Sequence, residues 1–371
     1  MSGWPPPQYI PYGVFDEIKA LVEEEFTILS SYIELGTPTF IIAATETKGR
    51  FKRLAMKMKQ RGYLPTLRRE NGQLVLRAIQ KPITKPARTE INAILFLVTL
   101  LTVSINAFVS CADPVYSREL APGVNIFLET ALVTACVFAI IGLHEFGHIL
   151  ACKMRGLDIT LPYFIPGIPI LSSLGTFGAV IMQREPATNR DEMFDVGASG
   201  PVVGFLVSVM VAIIGLQRGF SFIVSEAQLE YFAQKYQVSF MYITPPIIMS
   251  LLTGLIRPYP EGFTLYLGPV AFTAYIGFLI TFINLLPTWQ LDGGWVSLSV
   301  LGRRWHRIIS WVSVIVLFFL GYWVMAMLVL FGMLRSRTAM PLDSVSSLSL
   351  SRKVLSIVLL GILILSATYT P

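Results

Sequence analysis

The chain has 371 residues, 54% of them hydrophobic and 14% charged, with a formal net charge of +6 and a mean hydropathy of +0.63. That balance is far too apolar for a water-soluble enzyme of this length and places most of the chain in lipid. The first ninety residues hold 14 Lys+Arg against 9 Asp+Glu, an excess that suits a domain beside anionic lipid, and no motif supports binding to nucleic acid.

Residues 1–88 read as a soluble α+β domain on the cytoplasmic side. The pattern predicts an amphipathic helix around Phe15 to Ser30, a strand from Thr37 to Ala44 and a basic helix from Arg50 to Arg61. Strands follow around Tyr63 to Arg68 and Gln73 to Ile79, with Asn71-Gly72 as the hairpin turn and Pro82 and Pro86 as a linker. The stretch before residue 80 stays polar, so no cleavable signal peptide is expected and membrane insertion falls to internal helices. Cys111, Cys136 and Cys152 are widely spaced and read as packing residues, not as a disulfide framework or a thiolate metal site.

Residues 89–371 read as an all-α multi-spanning membrane domain. Stretches long enough to cross a bilayer run from Ile91 to Ser110, Ile126 to Met154, Val196 to Leu216, Phe263 to Leu286, Ile308 to Leu334 and Val354 to Thr370. About six spans put both termini on one side, taken as cytoplasmic at the plasma membrane. Ile159 to Met182 is interrupted by Pro162, Pro166, Gly167, Pro169, Gly175 and Gly178, which forbid a straight helix and predict a re-entrant, sheet-like hairpin. Phe240 to Ile256, within an insertion at 217–262, contains Pro245-Pro246 and is short, so it is placed at the interface or outside rather than across the membrane.

His144-Glu145-Phe146-Gly147-His148 lies near the end of the second span. A spacing of four puts both imidazoles on one helix face, one turn apart, where they can share one metal. Glu145 beside them is placed to take a proton from water and return it to a leaving amine. Only three histidines exist, and ionisable groups in a membrane helix are costly enough to be functional by default. The third, His306, stands among Arg303, Arg304 and Arg307 and reads as a solvated loop residue. Counting back from Lys153 at about 1.5 Å per residue sets His144 roughly 13 Å and His148 roughly 7 Å inward, below the membrane surface.

A catalytic zinc takes three protein ligands, and Asp292 is the best third, in Asn284-Leu-Leu-Pro287-Thr-Trp-Gln-Leu291-Asp292-Gly293-Gly294, where proline breaks the helix and glycines allow close backbone approach. If His144 and Asp292 bind one ion, the second and fourth spans must end on the same side, which excludes a crossing at Phe240 to Ile256. Lys153, Arg155, Arg184, Arg190, Arg303, Arg304 and Arg307 then fall inside, whereas Arg335, Arg337, Arg352 and Lys353 fall outside, against the usual charge bias.

These segments together resemble the site-2 protease family of intramembrane zinc metalloproteases over most of residues 91–334. The resemblance implies one Zn2+ per chain held by His144, His148 and Asp292, Glu145 as catalytic base, and Asn284 as a polar group that orients substrate or stabilises the oxyanion. Gly175-Thr-Phe-Gly178 is similar to the family's glycine-bearing turn. Gly197-Ala-Ser-Gly200-Pro201-Val-Val-Gly204 is similar to its small-residue span, and small residues there also suit close packing against the metal helix. The implied substrates are membrane proteins with a transmembrane helix, often already trimmed and often regulators of transcription or envelope stress. An exposed strand edge in 159–182 is expected to hold the unwound substrate by strand addition. No PDZ-like or CBS-like module is evident, and the oligomeric state is not readable. The rival readings are a metal transporter or sensor and an inactive scaffold of the same fold.

Overall fold

The computed structural model describes residues 12–82, 88–170, 172–335 and 339–368, and Pro86, Arg337 and Thr370 of the expectations above lie outside them. Helix α1 (Tyr12–Glu25) and helix α2 (Lys48–Gln60) cover one antiparallel sheet of β1 (Thr27–Glu34), β2 (Thr37–Ala43), β3 (Tyr63–Glu70) and β4 (Gln73–Gln80), in the order β1-β2-β4-β3. Phe51, Leu54, Ala55 and Met58 recur at helical spacing on α2 and meet Phe40, Leu67 and Leu76 of the sheet in a core of its own. Asn71 and Gly72 both take positive φ, 47° and 82°, the turn that matches strand twist in a two-residue hairpin. The predicted first helix does not reach Ser30. It ends at Glu25, and Thr27–Glu34 pairs with β2 because β-branched and aromatic residues favour the strand and Leu35-Gly36 makes a second positive-φ turn.

Among the described residues, three helices are long and apolar enough to cross a membrane: α3 (Thr89–Cys111), α4 (Ile126–Arg155) and α5 (Arg190–Gly215). Asn125 caps α4 by accepting from the Leu128 N–H, and Gly156, at φ 72°, closes it in the left-handed conformation. Between α4 and α5 the Pro/Gly-rich stretch forms β5 (Tyr163–Pro166) antiparallel to β6 (Thr176–Val180). Its backbone is held by polar side chains of α3. Asn92 donates to the carbonyls of Leu161 and Pro162, and Thr102 to that of Gly175. Asn106 donates to Ser172 and Ser173 and accepts from the Ile170 N–H.

Beyond α5, β7 (Ser221–Ser225) leads into α6 (Glu226–Tyr236), then α7 (Ile247–Ile256) and β8 (Phe263–Leu267), which pairs antiparallel with β7. Helix α7 has ten residues, about 15 Å, half a hydrocarbon core. Helix α8 (Pro269–Leu285) returns beside α5, its Ala271 against Gly215.

The stretch read as one span from Ile308 to Leu334 is instead a helical hairpin. Helix α9 (Asp292–Phe319) breaks at Gly302, φ 76°. It ends at a turn through Gly321, φ 85°, and α10 (Trp323–Arg335) folds back so that Val314, Leu317, Ala326 and Val329 pack together with Phe282 of α8. The return reverses everything downstream. Arg352, on the first turn of α11 (Leu350–Ser366), pairs with Asp191 and Asp195 at the start of α5, where Arg155 of α4 also reaches Asp195. At the other end of α11, Thr368 donates to the Thr244 carbonyl. The sheet domain sits at the Arg352 end, through Lys48 to Asp191, Lys52 to Glu192, and Lys59 and Lys81 to Glu185. The expectation that both ends of the chain share one side is therefore corrected. Arg352 and Lys353, on the first turn of α11, thereby lie at the end of the bundle that holds Asp191 and the sheet domain, where the charge bias favours them.

One further connection ties the domain to the helices. Segment 342–344 runs between the edge of β3 and the loop before α5: the Leu67 N–H donates to Leu342 and the Ser344 N–H to Leu67, while the Leu342 and Asp343 N–H groups donate to Ala187 and Thr188.

Candidate metal centre

Helix α4 carries His144, Glu145 and His148 into the bundle, all buried at 5%, 7% and 5% exposure. Helix α5 crosses them on its small face. A Cβ on Gly200 would collide with the His148 ring, and one on Gly204 would stand 2.9 Å from His144 Nδ1, so hydrogen is the only side chain that lets the helices close over the imidazoles. The Val196 carbonyl, also on α5, lies 2.7 Å from His148 Nδ1. That contact fixes the ring and leaves Nε2 as the inward donor.

The third group arrives on a tight loop. After α8 ends at Leu285, residues 286–291 turn so closely that a Cβ on Gly293 or Gly294 would overlap the carbonyls of Leu285 or of Thr288 and Trp289. Trp289 takes φ 46°, and its ring lies where a Cβ on Gly332 of α10 would be, so the loop is wedged against the hairpin. Asp292 is thereby the first residue of α9, where a helix N-terminus favours a carboxylate. His144 Nε2 and His148 Nε2 are 3.2 Å apart, and each is 3.3 Å from Asp292 Oδ2. Two imidazoles and one carboxylate are a zinc-type donor set, and metal–ligand lengths of about 2.0–2.1 Å imply a tetrahedral edge of about 3.3 Å. The three donors therefore fit a single ion, with Glu145 near enough to interact with both His148 and Asp292.

Asn284 is half-buried on the last turn of α8, and its amide has no hydrogen-bond partner among the described residues. His306 corrects its reading. It is buried at 3% exposure, its Nδ1 2.8 Å from Ser297 Oγ, because the break at Gly302 folds the second half of α9 back onto the first. The residues that sequence reasoning missed are Asn92, Thr102 and Asn106. Their signal was available as polar side chains inside an apolar span, each of which needs a partner in lipid. The partners are the re-entrant backbone. Of the two strands there, β5 lies against α3, and β6, which among the described residues pairs only with β5, lies toward α4.

A family model described as Peptidase family M50 matches residues 132–328, just over half of the chain. The chain is 33% identical over 181 residues to the probable zinc metalloprotease EGY2, chloroplastic, of Arabidopsis thaliana, covering 48% of this chain and 29% of that protein. It is 31% identical over 188 residues to the protein of the same name from Oryza sativa subsp. indica, covering 50% and 31%. To the probable zinc metalloprotease EGY1, chloroplastic, of Arabidopsis thaliana it is 28% identical over 181 residues, covering 48% and 31%. The chain thus spans under a third of the length of these curated relatives. No solved structure matches it.

Proposed function

Since this chain belongs to peptidase family M50, the site-2 protease family, we propose that it is an intramembrane zinc metalloprotease that hydrolyses peptide bonds in or near the transmembrane helices of other membrane proteins. The observation that carries the reading is the meeting of His144, His148 and Asp292 at the donor spacing of a single tetrahedral ion, with Glu145 beside them, inside an apolar helix bundle. Zinc bound by these three residues would supply Lewis acidity and ease the deprotonation of water to a nucleophile near neutral pH.

The remaining work falls to side chains of this chain. Glu145 accepts the proton of the attacking water and returns it to the leaving amine, so no covalent intermediate with the protein forms. Val196 holds His148 in one orientation, and Asn284 is placed on the helix leading into the Asp292 loop, where an amide can donate to a developing oxyanion. A substrate helix hides its carbonyls and must first unwind. The unpaired side of β6 offers backbone partners for the unwound segment, and its position toward α4, the helix that carries Glu145, supports strand addition there. The shorter apolar helices α8 and α10 complete the bundle around the three long ones.

The expectation of a plasma membrane finds no support in the curated relatives, whose names place those proteins in the chloroplast. Membrane residence itself stands on the apolar helices. The test compares purified wild type with Glu145→Gln, each assayed for zinc and for cleavage of a single-span substrate in detergent. Zinc in both and cleavage by the wild type alone is expected. Equal cleavage removes Glu145 from the reaction, and absence of zinc from both ends the proposal.

A further inference from the structure

A second chemistry lies at the opposite end of the bundle, near Thr244 and the end of α11. Among the described residues, strand β8 pairs with β7 on one edge only. Beside it lies a cavity of about 390 Å³ that four consecutive residues, Thr264, Leu265, Tyr266 and Leu267, all line. Val224 of β7 and Leu229 of α6 line it too, and because consecutive side chains of a strand point to opposite faces, a cavity that meets all four residues of β8 reaches the strand's edge as well as the face that Val224 shares with Thr264. The far wall is residues 240–243, which form no ladder with β8 although the Phe240 and Tyr266 rings meet edge to face at 6.4 Å. A second cavity of about 360 Å³ continues past Ile243 along the same strand. Every second residue of an unpaired edge presents an N–H and a C=O that require partners. The gap is thus a slot between a strand edge and a wall.

One charge faces it. Asp113 lines the first cavity, and its Oδ1 accepts from the Val115 and Tyr116 N–H groups at 3.0 and 3.1 Å. No cation pairs with this carboxylate among the described residues. The geometry points to a peptide-binding slot in which an extended segment adds as a third strand to β8 and places a lysine or arginine against Asp113. The occupant is the stretch of a substrate just beyond its membrane helix, an identification that rests on the protease reading. The slot itself does not, because strand addition and charge pairing need no hydrolysis.

The experiment uses the full-length Glu145→Gln protein, which cannot consume its ligand, and a fluorescein-labelled peptide alternating valine and threonine around one central lysine. Saturable binding is expected, together with slowed amide exchange in residues 263–267. Asp113→Asn keeps the oxygen that accepts from Val115 and Tyr116, and weakens binding about tenfold by loss of a charge-assisted bond. Methylating alternate backbone nitrogens of the peptide abolishes binding without touching the protein. Equal binding of the methylated peptide overturns strand addition. So does exchange at 263–267 that is unchanged by peptide, or already slow without it because chain or detergent fills the slot. Since both readouts are taken on the Glu145→Gln protein, failure of the hydrolytic reading leaves them unaltered, whereas cleavage that persists with no binding overturns the slot alone.

Discussion

Asn106→Ala tests how the re-entrant hairpin is held. Its amide makes three hydrogen bonds to backbone that no strand partner serves: 2.8 Å to Ser172, 3.1 Å to Ser173 and 2.7 Å from Ile170. Each contributes about 1 kcal/mol net, more where a buried group is left bare, so about 3 kcal/mol of local stability is lost, roughly a hundredfold in the opening equilibrium. Thr102→Val removes the 2.7 Å bond to Gly175, along with a 3.1 Å contact to the Thr99 carbonyl within α3, and costs the hairpin about 1 kcal/mol, roughly fivefold. Hydrogen exchange followed by mass spectrometry reads both, as faster exchange confined to residues 168–176 while α4 and α5 keep their protection and zinc content is unchanged. Less than threefold acceleration in Asn106→Ala, or acceleration spread evenly over the bundle, would refute the claim that α3 holds the hairpin locally.

Gly200→Ala drives a methyl into the His148 ring, so the purified variant should lose most of its zinc while its helix content stays within a few per cent by circular dichroism. Chelation by phenanthroline should abolish cleavage in wild type and zinc should restore it, with no restoration in His148→Ala. At Glu185, burial opposes ionisation, but the Lys59 and Lys81 ammonium groups hydrogen-bond it and hold its carboxyl below the usual range. Because the folded value is depressed, the stabilisation is complete above the unfolded value near 4.5 and is lost as pH falls through the lower folded value. Amide exchange in α2 should therefore accelerate on acidification through that window in wild type and lose this step in Glu185→Gln.

The parts legible in the sequence are those where one residue type has few alternatives. A four-residue histidine spacing on a helix fixes a common face, and a proline- and glycine-broken stretch at membrane depth has to become something other than helix. What stayed hidden depends on partners. Leu320 to Tyr322 is bounded by apolar residues on both sides, so hydropathy reads through the turn, and Gly321 alone does not distinguish a reversal from a tolerated helical glycine. That one reversal also decides on which side Arg352 and Lys353 lie. His306 looked solvated because its neighbours in sequence are arginines, yet helical periodicity points it the other way, toward Ser297. The strand at Thr27–Glu34 was hidden by its mixed polarity, since it lies at a sheet edge with most of its side chains in solvent.

The bridge formed by residues 342–344 joins the sheet domain, through one short stretch of backbone, to the helix that lines the metal centre. Its amides grip Leu67 on one flank and Ala187 and Thr188 on the other, and the next residue, Asn189, is the cap of α5, whose Val196 carbonyl steers His148. A displacement of the sheet therefore either breaks those backbone links and the lysine ion pairs beside them, or is passed to the cap of the helix that holds the imidazole.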